Sequence, residues 1–271
     1  MKLTSLKLNL LATAALLAGA FFALPFTGAA DTYVITNTTA DAFLASGSAG
    51  NPAGANLNAN NYGGAGTLAI ASASSPKGEF DSIIKFNTAA AINQFNTTYG
   101  AGNWQITGLT LSLASNTGTN GAIPGNSIFN TVSGGNFGID WLALDSWVEG
   151  SGTPASPPAT GVNFNSISTL LAGSDALGTF TYTPPGNNVY ANYFLPLNAS
   201  LLSDAATGGD VSLYFFAADN QVSYLFNSRT FASGRPQLTL TVAPTPEPAT
   251  LSLLAVSLGG ILYLRGRNGK S

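Results

Sequence analysis

The chain of 271 residues has no cysteine, no histidine, a single methionine and only 8% charged residues. Each absence removes some chemistry. Without cysteine no disulfide staples the fold, so a core must hold by burial alone. Without histidine or cysteine there is no Ser-His-Asp or Cys-His nucleophile pair, no zinc site of the usual kind, and no haem or iron–sulfur ligation. Carboxylate chemistry and oxygen-ligated calcium remain. Basic residues are also scarce. Between Asp31 and Ala243 only Lys77, Lys85, Arg229 and Arg235 stand against 11 Asp and Glu, a net charge of −7. A body so acidic is a poor partner for nucleic acid or an anionic membrane.

Long apolar runs occur only at the two ends. At the start, Lys2 and Lys7 precede an apolar stretch from Leu8 to Leu24, Pro25 ends it, and Gly28-Ala29-Ala30 supplies small residues. That order is read as a secretory signal peptide over residues 1–30, cut after Ala30 to leave Asp31 first. At the other end, Pro246, Glu247 and Pro248 precede an uncharged run of 16 residues, Ala249 to Leu264, followed by Arg265, Arg267 and Lys270. As a helix the run rises roughly 24 Å against a hydrocarbon core of about 30 Å, enough for a transient span. The prolines prevent the helix from extending backwards, and the basic residues favour the cytoplasmic side. Residues 244–271 resemble the PEP-CTERM sorting signal of bacterial exported proteins. The resemblance implies recognition of Pro246, Glu247, Pro248, Arg265 and Arg267 by the membrane protease exosortase, after export through signal peptidase.

The body between, residues 31–243, is one domain by length. Asp31 to Thr36 reads as a strand, and the polar stretch Asn37 to Gly66, dense in Asn and Gly, as an extended loop. Thr67 to Ala71 and Asp81 to Asn87 read as strands, the second with Ile84 and Phe86 inward and Lys85 outward. Ala89 to Tyr99 is expected as a short helix before Gly100. Gln105 to Leu113 alternates cleanly, with Leu109, Leu111 and Leu113 on one face. Further strands are expected at Phe137–Leu144, Thr179–Thr183, Tyr190–Leu197, Val211–Ala217, Val222–Phe226 and Gln237–Val242. A short helix is expected at 166–171, and Asn198 is placed to cap another helical turn. Nine or ten strands without alternating helices exclude a parallel α/β sheet. The expected fold is all-β, an antiparallel β-sandwich, jelly-roll-like, with short helices.

Several segments of the body resemble DNRLRE-type domains. They are Phe80-Asp81-Ser82-Ile83-Ile84-Lys85-Phe86-Asn87, Gln105 to Leu113, Asp145-Ser146-Trp147-Val148-Glu149-Gly150, and Ser228-Arg229-Thr230 with Gly234-Arg235-Pro236-Gln237-Leu238. The resemblance implies a β-sandwich similar to carbohydrate-binding modules. Together with the tail it implies an exported protein of the cell surface or extracellular matrix, non-catalytic, adhesive or associated with exopolysaccharide.

Among residues that could contact a sugar ring, Trp104, Tyr62 and Trp147 are the candidates, because an aromatic face offers apolar area to the sugar C–H groups; for Trp147 core or corner packing is the alternative. Trp141 shares parity with Phe137 and Ile139 and is expected in the core. Asp140, Asp145 and Glu149 lie close in sequence and keep open an alternative, a carboxylate-dependent polysaccharide-active enzyme, which needs two carboxyls about 5–10 Å apart across a cleft. An ion pair from Glu149 to Arg229 or Arg235 is the structural alternative. No cofactor is expected. A structural calcium stays open because oxygen ligands are plentiful, although no Asp-x-Asp-x-Asp run defines a set.

Overall fold

A computed structural model describes residues 29–47, 56–116, 129, 134–182 and 186–245. Eleven strands and a few short helices form two antiparallel sheets packed face to face. In chain order the strands are β1 (Asp31–Ile35), β2 (Thr38–Ala45), β3 (Thr67–Ala71), β4 (Phe80–Asn87), β5 (Trp104–Ala114), β6 (Asn136–Leu142), β7 (Asp175–Thr181), β8 (Tyr190–Leu195), β9 (Asp210–Ala217), β10 (Ser223–Asn227) and β11 (Gln237–Pro244). The helices are α1 (Ala89–Tyr99), α2 (Ile167–Leu170), entered through a 3-10 turn at Phe164–Ser166, and α3 (Ala199–Ala206).

The smaller sheet runs β1-β11-β5-β8. The larger runs β10-β3-β4-β9-β6-β7, with β2 also paired to β4. Leu109, Leu111 and Leu113 of β5 point inward with Leu238 and Leu240 of β11, meeting Ile84, Phe86, Phe137 and Phe215 of the larger sheet. Residues near Trp104 reach the same side through a change of parity. The β5–β11 register shifts between Thr241 and Val242, so Trp104 and Ile106 share the inward face with Leu109 despite even numbering. A bulge of this kind inserts one residue and turns the strand.

The helices sit where the sequence places them. Gly100, at φ 85°, closes α1 and donates its N–H to the Asn96 carbonyl. Asn198 caps α3, its side chain accepting from the N–H groups of Ser200 and Leu201, which satisfies donors a helix start leaves bare.

Two readings from sequence are corrected. Residues 37–66 are not loop throughout, because Thr38–Ala45 forms β2, a strand with only Thr39 exposed. Its composition, Thr-Thr-Ala-Asp-Ala-Phe-Leu-Ala, is weak for a strand, and pairing along the whole of β4 supplies what propensity does not. Lys85 does point away from the main core, but that outer face is itself covered. The segment around Trp147 and Val162, with α2, packs over β2, β4 and β9 in a second cluster containing Leu44, Ile83 and Tyr214. The larger sheet is therefore buried on both faces at β2, β4 and β9, though not at its edge β7, whereas the outer face of the smaller sheet is open, with Thr32, Val34 and Phe194 exposed on it.

Phe137 is fully buried, with its ring 5.1 Å from that of Tyr193 and 6.0 Å from that of Phe226. Phe137→Ala is expected to lower unfolding stability by about 3–5 kcal/mol. Thr239→Ala, on the open face, should stay within about 0.5 kcal/mol. Urea denaturation followed by circular dichroism measures both.

Candidate functional site

Trp104 opens β5 at the point where α1 and α3 approach it. Its ring packs on Phe95 of α1, centroids 5.3 Å apart, and its indole N–H donates to the Asn96 side-chain oxygen at 2.9 Å. Two anchors fix a ring that remains half-exposed. Beside it lies an open groove of about 490 Å³, with Ile92, Ile106 and Leu202 as apolar wall and Asn96, Gln105 and Ser203 as polar groups. No lining side chain is charged. Because Asn96 uses its oxygen on the indole, its amide N–H groups remain to donate to a ligand. The arrangement suits a neutral, hydroxyl-bearing ligand with an apolar face. It offers no general acid or base.

The other two aromatic candidates are removed from the surface. Tyr62 is buried and stacks on Phe43, centroids 4.5 Å apart. Trp147 is buried too, its indole N–H donating to Ser212 Oγ at 2.9 Å. Neither presents a face to a sugar ring. Trp141 is half-buried against the core and donates its indole N–H to Asp204 at 2.8 Å.

The segments 80–87, 145–150 and 228–230 meet in two structural clusters. In the first, Lys85 Nζ donates to the backbone carbonyls of Asp145 and Trp147 and stands 4.6 Å from the Trp147 ring centroid. Ser212 Oγ donates to Asp145 Oδ1 at 2.5 Å. The buried ammonium is thus held by carbonyls and a ring face, with Asp210 as its ionic partner at 4.0 Å. In the second, Arg229 grips Glu149 with two parallel N–H donors, Nε to Oε1 at 2.7 Å and Nη2 to Oε2, the fork geometry that Lys cannot provide. Glu149 Oε1 also accepts from the backbone N–H of Asp41, and Asp41 Oδ2 accepts from that of Arg229 at 2.6 Å.

Sequence reasoning missed Asn61, which locks this second cluster. Fully buried, it donates to the carbonyls of Glu149 and Val162 and accepts from the N–H groups of Gly63 and Gly152. Both amide donors and the oxygen are used, which is what a buried Asn requires. The neighbouring glycines exist for closeness. A Cβ on Gly63 would lie 2.2 Å from the Glu149 carbonyl oxygen, and one on Gly152 would lie 1.8 Å from that of Asn61. The density of Gly in this region was the available signal.

Three carboxyls considered for catalysis are accounted for. Glu149 is bound to Arg229, Asp145 to Ser212, and Asp140 lies within β6. Among the described residues no group of three or more Asp or Glu gathers as a metal site, and no helix is long and apolar enough to cross a membrane. Asp31 opens β1 directly after exposed Ala30, so a cut between them leaves the strand whole. Pro246, Glu247, Pro248, Arg265 and Arg267 lie outside the described residues. No protein-family model and no curated protein matches the chain.

Two buried carboxyls are pushed up to about 7. For Asp41 the cause is burial, opposed by the Arg229 N–H and reinforced by the Glu149 charge. For Asp81 it is burial, opposed by the Tyr214 hydroxyl that donates to Oδ2 at 2.6 Å; Oδ1 has no hydrogen-bond partner among the described residues. Their unfolded values lie near about 3.9. The folded state therefore holds protons that the unfolded chain releases between these limits. The associated stability is full at low pH and is lost as pH rises through 7. The urea midpoint is expected to be higher at about pH 5 than at about pH 8. Asp81→Asn should raise the midpoint at the higher pH and flatten the dependence, as read by parallel titrations.

Proposed function

We propose that this chain is an exported, non-catalytic protein of the bacterial cell surface or extracellular matrix, whose sandwich associates with a neutral polysaccharide through the Trp104 groove. The observation that carries the reading is the composition of that groove. A fixed, half-exposed indole stands beside two amides and a hydroxyl, with no charge in the lining. Sugar rings present apolar C–H patches and a rim of hydroxyls. Such a surface matches both, through stacking and through donors and acceptors of either sense. We read the sandwich as jelly-roll-like and the terminal segments as export and exosortase signals, with signal peptidase cutting after Ala30 and the apolar tail inserting transiently in the membrane.

Polysaccharide association is tested by retention on insoluble neutral polysaccharides and by glycan-array binding. Gln105→Ala, at an exposed position, and Trp104→Phe, which keeps the packing on Phe95, are each expected to weaken binding by about 10-fold, the equivalent of about 1.4 kcal/mol. Circular dichroism melts should be unchanged. Absence of binding to any neutral glycan by the unaltered chain would overturn the polysaccharide reading.

Processing is tested separately, by intact-mass spectrometry of the protein recovered from envelope and medium of its host. The expected mass begins at Asp31 and ends near Pro246. A mass that retains the chain to Ser271 would make the protein membrane-anchored and end the exosortase reading.

A further inference from the structure

We infer that β8 is a self-pairing edge, through which a second copy of this chain adds antiparallel to the smaller sheet and joins two four-stranded sheets into one. Among the described residues β8 ends that sheet and pairs only with β5. Along its far side no backbone group of Tyr190–Leu195 is bonded among the described residues. Open edges are ordinarily guarded by charge, proline, a bulge or a covering segment. Other edges show such guards, and β2, which pairs with β4, is bridged on its own account by Tyr62 at Phe43. β1 begins at Asp31, β7 carries Asp175 and a register shift against β6, and β10 is bridged by Ser115 at Phe226. The six residues of β8, Tyr-Ala-Asn-Tyr-Phe-Leu, carry none.

The exposed apolar area concentrates at the same place. Of five large hydrophobic side chains exposed among the described residues, Val189, Phe194 and Leu197 lie within or beside this strand, and Phe194 is 76% exposed. A groove of about 330 Å³ runs along it, lined by Phe180 of β7 and by Ala191, Tyr193 and Phe194.

The occupant and its register follow from the strand's own pattern. A two-fold axis at Asn192 sets Asn192 against Asn192, Tyr190 against Phe194, Ala191 against Tyr193, and Val189 against Leu195. Aromatic cross-strand pairs then flank a central pair of amides. Asn192 Oδ1 accepts from Ser112 Oγ at 2.7 Å and keeps a second lone pair, so it can also accept from an N–H of the facing Asn192, which accepts in return. The next pair outward would be Asn188 with Pro196. Asn188 has φ 59° and leaves the extended region, and Pro196 has no N–H, so the ladder stops at both ends together. An axis at Tyr193 would instead draw Pro196 into the ladder opposite Tyr190. Ala191 and Tyr193 of the second copy would continue the inner face beside Phe180 and fill the groove. Two bodies of net charge −7 repel in general, but no charge lies on Val189–Leu195. The pairing is isologous, the arrangement most homodimers use.

The full chain, held in mild detergent so that its apolar ends do not drive association, tests the inference. Multi-angle light scattering should give twice the chain mass for the unaltered protein and the single mass for Phe194→Lys, with identical circular dichroism melts. The chain has no native cysteine, so one introduced thiol reports one position. Under mild oxidation Asn192→Cys should form a covalent dimer, whereas Thr241→Cys, two strands away on the same face, should not. A monomer at the highest soluble concentration overturns the proposal. So does a dimer that survives Phe194→Lys, or one in which Asn192→Cys does not crosslink.

Discussion

A lysine in the middle of a strand buried on both faces is the constraint around which the molecule is arranged. β4 has every residue but Asn87 buried, and Lys85 is among the buried ones. A bare ammonium there would cost several kcal/mol of lost hydration. The chain compensates by bringing the 145–149 segment over the larger sheet, so that two carbonyls and the Trp147 ring surround the charge. Once that segment is in place, Glu149 falls beside Arg229 and Asp41, and Asn61 closes the loops around it. Stretches far apart in the chain are thereby locked together by directional bonds, which hydrophobic packing alone would leave free to slide.

This arrangement divides the surface. The face of the larger sheet over β2, β4 and β9 is given over to packing between segments of the chain. Lys85, Trp147, Glu149 and Arg229 all act between segments of the same chain. Two surfaces lie apart from these contacts: the Trp104 groove at the mouth between α1, α3 and β5, and the open face of the smaller sheet with its edge at β8.

Much of the architecture was legible because alternation and punctuation are local signals. β5 declared its inward face through Leu109, Leu111 and Leu113, α1 through its closing Gly100, and α3 through Asn198. What failed was non-local. β2 has poor strand propensity and exists through its pairing with β4. Lys85 was correctly given the outward parity, but parity does not reveal a second layer lying over the sheet. Trp147 stood open between corner packing and a sugar contact, and its bond to Ser212 decides for packing; Tyr62 was judged by residue type, and its burial depends on Phe43, 19 residues away. The β5 bulge left a readable trace, since its apolar residues change from even to odd positions across Thr107 and Gly108. Glu149 was legible as an ion-pair member, and the structure selects Arg229 over Arg235.

The scarcity of charge has a structural meaning beyond solubility. Lys85, Asp41, Asp81, Glu149 and Arg229 form a large share of the body's few charged groups, and all five are engaged in buried or partly buried contacts. Charge is therefore concentrated where low dielectric makes hydrogen-bonded pairing strong and directional. The surfaces available to other molecules are correspondingly made of hydroxyls, amides and aromatic rings. Contacts through such groups are short-ranged and little affected by ionic strength. Any specificity of contacts through such groups rests on fit and on short-range hydrogen bonding rather than on charge.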